Sequence, residues 1–315
     1  MEKQLIGASL FSGGGLMDLA ARRAGITVAF ANEISEKFAA FHAVNFFHPN
    51  GTQVVDVRPM SEVSPQTILD LISEKYGATD LDFVWGGPPC VDYTRLNTRR
   101  LEGGDKSKKR FVLDFLDMCI ALNPKIIVME EVPELLSDKI YYPLFQAKCA
   151  KMNYRIKRKV MRAINYEGNS TRTRVIIIFI RKDLCKDAVF PQRLPKGIKM
   201  CGDFLDIDYY VSGHYEDRAR YANEPMTTVT SGSPKTFFKN DVPRQPSVRE
   251  IMLCMSVDPD EYILPNKFSY STFRKVFGNG VPTMMAYHIF NTLVEQVLGY
   301  RKNEAGILVP IGEQH

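Results

Sequence analysis

Apolar residues fall into short continuous runs along the first part of the chain, and helical spacing of apolar positions separates the runs. Runs such as "KIIVM" do not alternate with polar residues, which is typical of strands buried on both faces of a parallel sheet. Gly25 and Ser35 have the residue types that end and begin helices. The pattern predicts strands over residues 4–12, 26–33, 52–57, 81–87, 125–132 and 172–183, and helices over 16–25, 35–46, 64–77 and 110–124.

This alternation of strands and helices with short links predicts an α/β fold, a doubly wound domain with a mostly parallel sheet, over residues 1–183. Residues 184–245 are rich in Pro, Gly, Tyr and charge and lack a long periodic helix, so we expect a small second lobe of loops and short strands. Helical spacing returns over 247–257 and 281–300. We therefore expect the last segment, residues 246–315, to pack back on the first domain.

The composition is typical of a soluble globular protein, with 315 residues, 45% hydrophobic and 24% charged. The chain has no apolar run of the roughly 18 residues that a membrane span needs. The N-terminal sequence does not resemble a signal peptide. These features predict a cytoplasmic protein with no membrane partner.

The six cysteines are scattered, without a CxxC pair or a histidine at ligand spacing, so we expect neither a disulfide framework nor a metal site. The net charge is +5, and basic residues cluster at 106–110, 154–162 and 193–200. One such cluster is more often a solvated face than a binding site. Together they allow a polyanionic partner such as nucleic acid.

The first candidate site is the glycine-rich turn in "LFSGGGLMDLA", where a predicted strand leads into a helix. Glycines let a backbone approach a ligand closely, although a tight turn without a ligand would look similar. Glu33 and Asp56 end the next two predicted strands, so all three groups reach the same edge of the sheet. An acid in the position of Glu33 can accept the two hydroxyls of a ribose. The group favours an adenosine-containing cofactor; neither GxGxxG nor a Walker lysine is present.

Two further motifs follow the fourth and fifth predicted strands. Gly86-Gly87-Pro88-Pro89-Cys90 forms a rigid loop that would present a thiol, as a nucleophile or as an ordinary turn cysteine. Glu130 and Glu131 close an apolar strand, where poor solvation suits a carboxyl group to hold a proton. The alternative is a surface or capping acid. The strand phase leaves open which of the two glutamates faces the crevice.

Arg172 and Arg174 alternate at the start of the last predicted strand and should therefore point to one face. Arginines there suit a phosphate or a base carbonyl. A pair of structural salt bridges is an equally good explanation of the two residues alone.

The order of these motifs resembles that of the cytosine-C5 DNA methyltransferases. Phe-x-Gly-x-Gly, Asn-Glu, Asp, Gly-Pro-Pro-Cys, Glu-x-Val, Arg-x-Arg and Phe-Gly-Asn-x-Val-Pro follow one another along the chain. Each motif is weakly specific, whereas their order and spacing are highly specific. The resemblance covers nearly the whole chain except residues 184–245.

The resemblance implies a Rossmann-like class I methyltransferase fold, S-adenosylmethionine as cofactor and double-stranded DNA as substrate. With it we expect a protein of a bacterium, an archaeon or a phage, and a monomer. Cys90 matches the nucleophile that attacks C6 of a cytosine flipped out of the duplex. Glu130 matches the acid that contacts N3 and the exocyclic amine. Arg172 and Arg174 match the arginines that contact the base and hold the catalytic loop. The positions that match the cofactor shell are Phe11, Ser12, Gly13, Gly15, Glu33, Ile34, Asp56, Val57, Pro88, Asn279 and Gly280.

Two regions match DNA-contacting parts of the family. Residues 91–110 match a loop that closes over DNA, and residues 184–245 match the target-recognition region, which includes Thr228. The recognition region is short, so we expect a short recognition sequence or weak discrimination. The loop residues expected to bind DNA are Arg95, Arg99 and Arg100.

The chain departs from the family pattern at a few positions. Glu131 stands where the family usually has Asn, Ser170 stands where it usually has Gln, and "VDYT" at 91–94 replaces Gln-x-Phe-Ser. Glu131 and Ser170 motivate one alternative, a non-catalytic DNA-binding relative. A second alternative is an RNA cytosine-5 methyltransferase built on the same motifs. An amino-group methyltransferase fits less well, because Cys90 takes the place of the aromatic residue that follows Pro-Pro in those enzymes.

Overall fold

A computed structural model describes residues 3–89, 111–194, 197–213, 218–232 and 235–312. Its central sheet has seven strands in the order β3-β2-β1-β4-β5-β7-β6. The strands β1 to β5 run parallel to one another, and β7 is antiparallel to both β5 and β6. The elements of this part are β1 (Leu5–Leu10), α1 (Leu16–Arg23), β2 (Ile26–Asn32), α2 (Glu36–Ala43), β3 (Val55–Asp56), α3 (Pro65–Tyr76), β4 (Phe83–Gly86), α4 (Phe111–Leu122), β5 (Ile126–Glu131), α5 (Tyr141–Cys149), β6 (Tyr154–Arg162) and β7 (Thr173–Arg181).

Apolar side chains cover both faces of this sheet, as the continuous apolar runs predict. Successive residues of a strand point to opposite faces, so Trp85 belongs to one apolar core and Val84 to the other. Side chains of α1 complete the first core, and side chains of α3 and α4 complete the second. The predicted fold class, a doubly wound and mostly parallel α/β sheet, is confirmed.

Two strands differ from the predicted pattern. The strand β3 has two residues rather than six, because Phe47 and Gln53 form an antiparallel bridge that uses the start of the predicted run. The basic cluster at 154–162 is the edge strand β6. Its lysines and arginines are mostly exposed, as suits an edge strand, and their charge hides the strand in a search for apolar runs.

The segment that follows β7 forms a second, antiparallel sheet of four strands in the order β11-β10-β8-β9. Tyr210 and Phe237 are buried beneath this sheet with Met226. We call this part the lobe. Its strands are β8 (Tyr209–Ser212), β9 (Arg220–Tyr221), β10 (Lys235–Lys239) and β11 (Val242–Arg244).

The C-terminal part returns to the first sheet. Its long helix packs along α1, and Leu308 of its terminal hairpin lies against Gly25. The helix α7 escapes sequence analysis, although Ser269 caps it by accepting a hydrogen bond from the Thr272 amide at 3.1 Å. The elements are α6 (Val248–Cys254), α7 (Tyr270–Asn279), α8 (Thr283–Gln296), β12 (Tyr300–Lys302) and β13 (Leu308–Pro310).

Within the described ranges, no helix is both long and apolar enough to cross a bilayer.

Candidate active site

The glycine-rich turn after β1 has an unusual backbone. Phe11, Gly13 and Gly15 all have positive φ, at 55°, 57° and 81°. This region suits glycine but is uncommon for an aromatic residue, so the surrounding structure must hold Phe11 there. A Cβ at Gly13 would meet no atom within 4 Å, so the turn opens into free space.

Buried side chains fix this turn on the side away from the open space at Gly13. Asp18 of α1 is fully buried, accepts a hydrogen bond from the Trp85 indole N–H, and lies 2.8 Å from Nε2 of His42. The hydroxyl of Tyr262, from the C-terminal part, donates to the Gly14 carbonyl. Three elements far apart in sequence therefore fix one turn.

Glu33 follows β2 and faces the same turn. One carboxylate oxygen accepts a hydrogen bond from the Gly13 amide at 2.9 Å, and the other accepts one from the Ser35 amide at 2.8 Å. Burial raises the pKa of Glu33, and the two amide hydrogen bonds oppose that rise. The carboxylate is thus oriented entirely by backbone donors, which leaves lone pairs free for another ligand.

Asp56 ends β3, as predicted, but its carboxylate is engaged locally. Both oxygens contact the Arg58 guanidinium at 2.6 to 3.1 Å, and Oδ1 also accepts from the Arg58 amide. Burial disfavours ionisation of Asp56, yet the hydrogen bonds from Arg58 outweigh it and lower the pKa. Ile34 and Val57, predicted for the same shell, have largely exposed side chains.

A second charged group lies at the ends of β5 and β7. The Arg174 Nε is 2.7 Å from Oε1 of Glu130, and both side chains are mostly buried. A Cβ at Gly87 would come within 3.0 Å of Glu130 Oε2, so the carboxylate lies beneath the Gly-Gly-Pro-Pro loop. A charged pair with little solvent around it interacts strongly with any polar group brought against it.

Glu131 is buried as well. It is 1% exposed, and its Oε2 accepts a hydrogen bond from the Val132 amide at 3.1 Å. The sequence left open which of the two glutamates faces the crevice. In the structure both border the same cavity. The pairing with Arg174 distinguishes Glu130 from Glu131.

Arg172 has different partners from Arg174. Its guanidinium donates to the carbonyls of Val229, Gly278 and Asn279 at 2.9 to 3.2 Å. Burial lowers the pKa of Arg172, but an arginine starts so high that it stays charged. Arg172 therefore connects the lobe to the C-terminal end of α7.

The glycine turn, Glu33, the two glutamates of β5 and the arginines of the β7 region surround one cavity of about 630 Å³. Thr230, Ser231 and Gly232 of the lobe complete its wall. The side-chain oxygen of Ser12 is buried beside this cavity and has no hydrogen-bond partner among the described residues. The predicted site residues that line the cavity are Phe11, Ser12, Gly13, Glu33, Pro88, Glu130, Arg172, Arg174, Asn279 and Gly280.

Other predicted residues are not brought to the cavity wall. Gly15 packs against His42 and Phe46, and Thr228 lies two residues from the part of the lobe that lines the cavity. Ile34, Asp56 and Val57 stand outside the wall too. The predicted residues Cys90, Arg95, Arg99 and Arg100 lie outside the described residues.

Sequence reasoning missed the lobe residues Thr230 and Ser231, as well as the bracing residues Asp18 and Tyr262. Asp18 offered a weak signal, because an acid in the middle of an apolar helix needs a buried partner. The other three have no local signal.

The fold is similar to that of two solved methyltransferases. A putative DNA modification methyltransferase encoded within a prophage (E. coli) superposes with a TM-score of 0.71 at 18% identity, over 94% of this chain and 99% of that one. The S. pombe Dnmt2 methyltransferase superposes with a TM-score of 0.70 at 14% identity, over 94% and 100%. At these identities the likeness defines the fold.

The family follows from the sequence comparison. Residues 7–206 match the model of the C-5 cytosine-specific DNA methylases, and the chain belongs to this family. It is 25% identical to the Type II methyltransferase M.HgiDI of Herpetosiphon aurantiacus, over 90% of this chain and 92% of that protein. It is 26% identical to M.MthTI of Methanothermobacter thermautotrophicus over 61% of this chain, and that match spans about half of the relative, 54%.

Proposed function

We propose that the protein is an S-adenosylmethionine-dependent DNA (cytosine-5)-methyltransferase that acts on double-stranded DNA. The observation that carries this proposal is the shared cavity: the glycine turn with Glu33 and the Glu130–Arg174 pair border the same space. A methyl donor at the first and a cytosine at the second would lie side by side.

The residues at the glycine turn fit the adenosyl cofactor. The open face of Gly13 admits a ligand, the buried Ser12 oxygen lacks a partner among the described residues, and Glu33 keeps lone pairs for ribose hydroxyls. When bound there, S-adenosylmethionine supplies an electrophilic methyl group.

The other end of the cavity fits the base. In the proposed reaction the Cys90 sulfur forms a bond to C6 of cytosine, and the electron pair of the C5–C6 double bond moves to C5, which takes up the methyl group. Loss of the C5 proton to a base then restores the double bond and releases the cysteine. Glu130, oriented by Arg174, would contact N3 and the exocyclic amine and stabilise the activated ring.

The target base must leave the helix to reach this cavity, which costs a few kcal/mol of stacking and pairing. The lobe and the basic residues Arg95, Arg99 and Arg100 would contact the duplex that surrounds it. The relatives named above are called Type II methyltransferases, and we propose a similar sequence-specific modification here.

The test is transfer of a labelled methyl group to duplex DNA, with tRNA as the competing substrate. We expect label in DNA as 5-methylcytosine. Label in tRNA alone would favour the RNA alternative. Conversion sequencing of DNA from expressing cells would then give the sequence context.

The covalent step is tested separately with a duplex that contains 5-fluorocytosine. The native chain should form a stable adduct in the presence of cofactor, and Cys90→Ser should form none while binding S-adenosylhomocysteine with near-native affinity. An adduct with Cys90→Ser would refute the nucleophile. A native chain that binds DNA without forming an adduct would indicate a non-catalytic relative.

A further inference from the structure

Residues 226–232 of the lobe, hereafter the recognition segment, are held at nearly every position. At the start, the Thr171 amide donates to the Met226 carbonyl and the Thr227 amide donates to the Tyr210 hydroxyl, both at 2.8 Å. At the far end, Arg274 of α7 donates to the Ser231 carbonyl at 2.8 Å. A loop with this many partners has a defined position rather than an ensemble of positions.

Arg172 donates a hydrogen bond to the centre of the recognition segment and also contacts the end of α7. One amino group, Nη1, donates to both Val229 and Gly278, and the other, Nη2, donates to Asn279. The planar guanidinium thus joins the recognition segment to the end of α7 through one rigid group.

The two backbones joined by Arg172 are also in direct contact. A Cβ at Gly278 would lie 2.5 Å from the Ser231 nitrogen and 2.6 Å from the Thr230 carbonyl carbon. The absence of a side chain at 278 is therefore what allows the recognition segment to lie against α7. A displacement of one backbone will be felt by the other.

The joined elements lead to the two proposed substrates. Asn279 and Gly280 border the cavity, and a Cβ at Gly280 would lie 2.6 Å from Leu16, the residue that follows the glycine turn. Thr230, Ser231 and Gly232 border the same cavity from the lobe, which is the proposed DNA side.

We propose that Arg172 is a positioning residue that couples cofactor binding at the glycine turn to the placement of the recognition segment, so that each substrate favours the other. The proposal rests on the function proposed above. It assigns Arg172 to the backbone of the lobe and α7, whereas Arg174 is assigned to Glu130 and the base. Coupling of this kind is reciprocal and typically amounts to about 5- to 150-fold in affinity.

Amide hydrogen exchange tests the coupling without DNA and without turnover. In the native protein, S-adenosylhomocysteine should slow exchange both at the glycine turn and in the recognition segment. In Arg172→Lys it should slow exchange at the turn alone, because the lysine chain ends one bond short of Nη1, the nitrogen that donates to the carbonyls of both elements. A purely structural role would raise exchange in the segment but leave its response to the ligand unchanged.

Two further variants keep the test decisive. Gly278→Ala drives a methyl group between α7 and the segment with Arg172 intact, and should lose the response in the same way; it replaces Arg172→Lys if that variant fails to fold. Lys235→Met removes a different cation, which donates to the Thr227 hydroxyl at 2.6 Å but does not contact α7 in the bonds described. Lys235→Met should exchange faster in the segment and still respond to the ligand.

Affinities provide the second readout. Binding of S-adenosylhomocysteine should tighten about five-fold or more when the native protein is saturated with a duplex that it methylates, and less than about two-fold in Arg172→Lys. A response in Arg172→Lys equal to the native one, or its loss in Lys235→Met as well, would overturn the proposal. If the native protein does not bind S-adenosylhomocysteine, both the proposed function and the proposed coupling fail. If it binds the ligand and the recognition segment does not respond, the coupling alone is overturned.

Discussion

The two carboxylates of the cavity, Glu33 and Glu130, are held in opposite ways. Glu33 accepts hydrogen bonds from the amides of Gly13 and Ser35 and has no guanidinium against it in the bonds described. Glu130 is fixed by the Arg174 guanidinium across the antiparallel pair of β5 and β7. One is oriented by neutral backbone dipoles and the other by a full charge.

The difference matches the proposed tasks. Backbone donors orient Glu33 without neutralising it, which suits a group that accepts hydrogen bonds from uncharged hydroxyls. An arginine orients Glu130 and fixes its position in a poorly solvated place, which suits a group that must meet a changing charge on a base. Replacing each glutamate should therefore affect different steps.

The largest effect is expected for Glu130→Gln. The substitution keeps the shape and removes the charge beside Arg174, so single-turnover methyl transfer should fall by about 10²- to 10⁴-fold. The affinity for S-adenosylhomocysteine should stay within about three-fold of the native value, because Glu130 belongs to the other end of the cavity. Calorimetric titration and quenched-flow transfer assays measure the two quantities.

The matched control is Glu134→Gln, four residues further along in the turn that follows β5. It should transfer methyl groups at the native rate. Turnover of Glu130→Gln within ten-fold of native, with the protein folded by thermal melting, would remove Glu130 from the chemistry.

The second effect is expected for Glu33→Gln. The amide can accept from one of the two backbone donors but cannot serve both, so one N–H is left without its acceptor. The ligand also loses a charged acceptor for its ribose hydroxyls, and a hydrogen bond to a charged group is worth about 1.5–3 kcal/mol, so S-adenosylhomocysteine affinity should fall by about ten- to hundred-fold. Methyl transfer at saturating cofactor should change little.

Glu36→Gln is the control for Glu33, since Glu36 is exposed at the first turn of α2 and only three residues away. Its cofactor affinity should be native. If both variants weaken binding equally, the effect is the general loss of negative charge, and the orientation of Glu33 by backbone amides has no part in it.

The same comparison shows what sequence could predict. The partners of Glu33 are separated from it by 2 and 20 residues and lie within one strand–helix–strand unit, so the order of elements alone places them together. The continuous apolar runs likewise predicted the parallel sheet, because burial on both faces leaves a one-dimensional pattern.

Longer-range partners have no such pattern. The carbonyls that bind Arg172 are 57 and more residues away, in the lobe and in α7, and backbone carbonyls carry no residue-type signal. The charge-rich strand β6 was not predicted for a related reason. An edge strand needs little apolar surface, so its composition indicated a solvated cluster of charges rather than a strand. Sequence thus named the chemical groups of the site more readily than the bonds that position them.

The smallest effect concerns Lys235, a third way of holding a charge. Lys235 is 9% exposed, donates to the hydroxyls of Ser212 and Thr227, and has no carboxylate partner among the described residues. Burial lowers its pKa to about 8, from an ordinary value of 10.5. Below pH 8 the fold therefore keeps a charge that it disfavours. Between pH 8 and 10.5 the unfolded chain binds this proton and the folded chain does not. The contribution of Lys235 to the free energy of unfolding therefore increases as the pH rises.

The stability of the native protein relative to Lys235→Met should accordingly be flat from pH 6 to 8 and should rise by about 1–3 kcal/mol between pH 8 and 10.5. Urea unfolding followed by the fluorescence of the single tryptophan, Trp85, measures it. Lys239, at the other end of β10, is the control: ion pairs with Asp206 and Asp208 raise its pKa, so its favourable contribution should stay constant over that window and fade only above it. A pH-independent difference for Lys235→Met would mean that Lys235 is as well solvated as Lys239, and that a charge in the lobe can be held by hydroxyls at no cost.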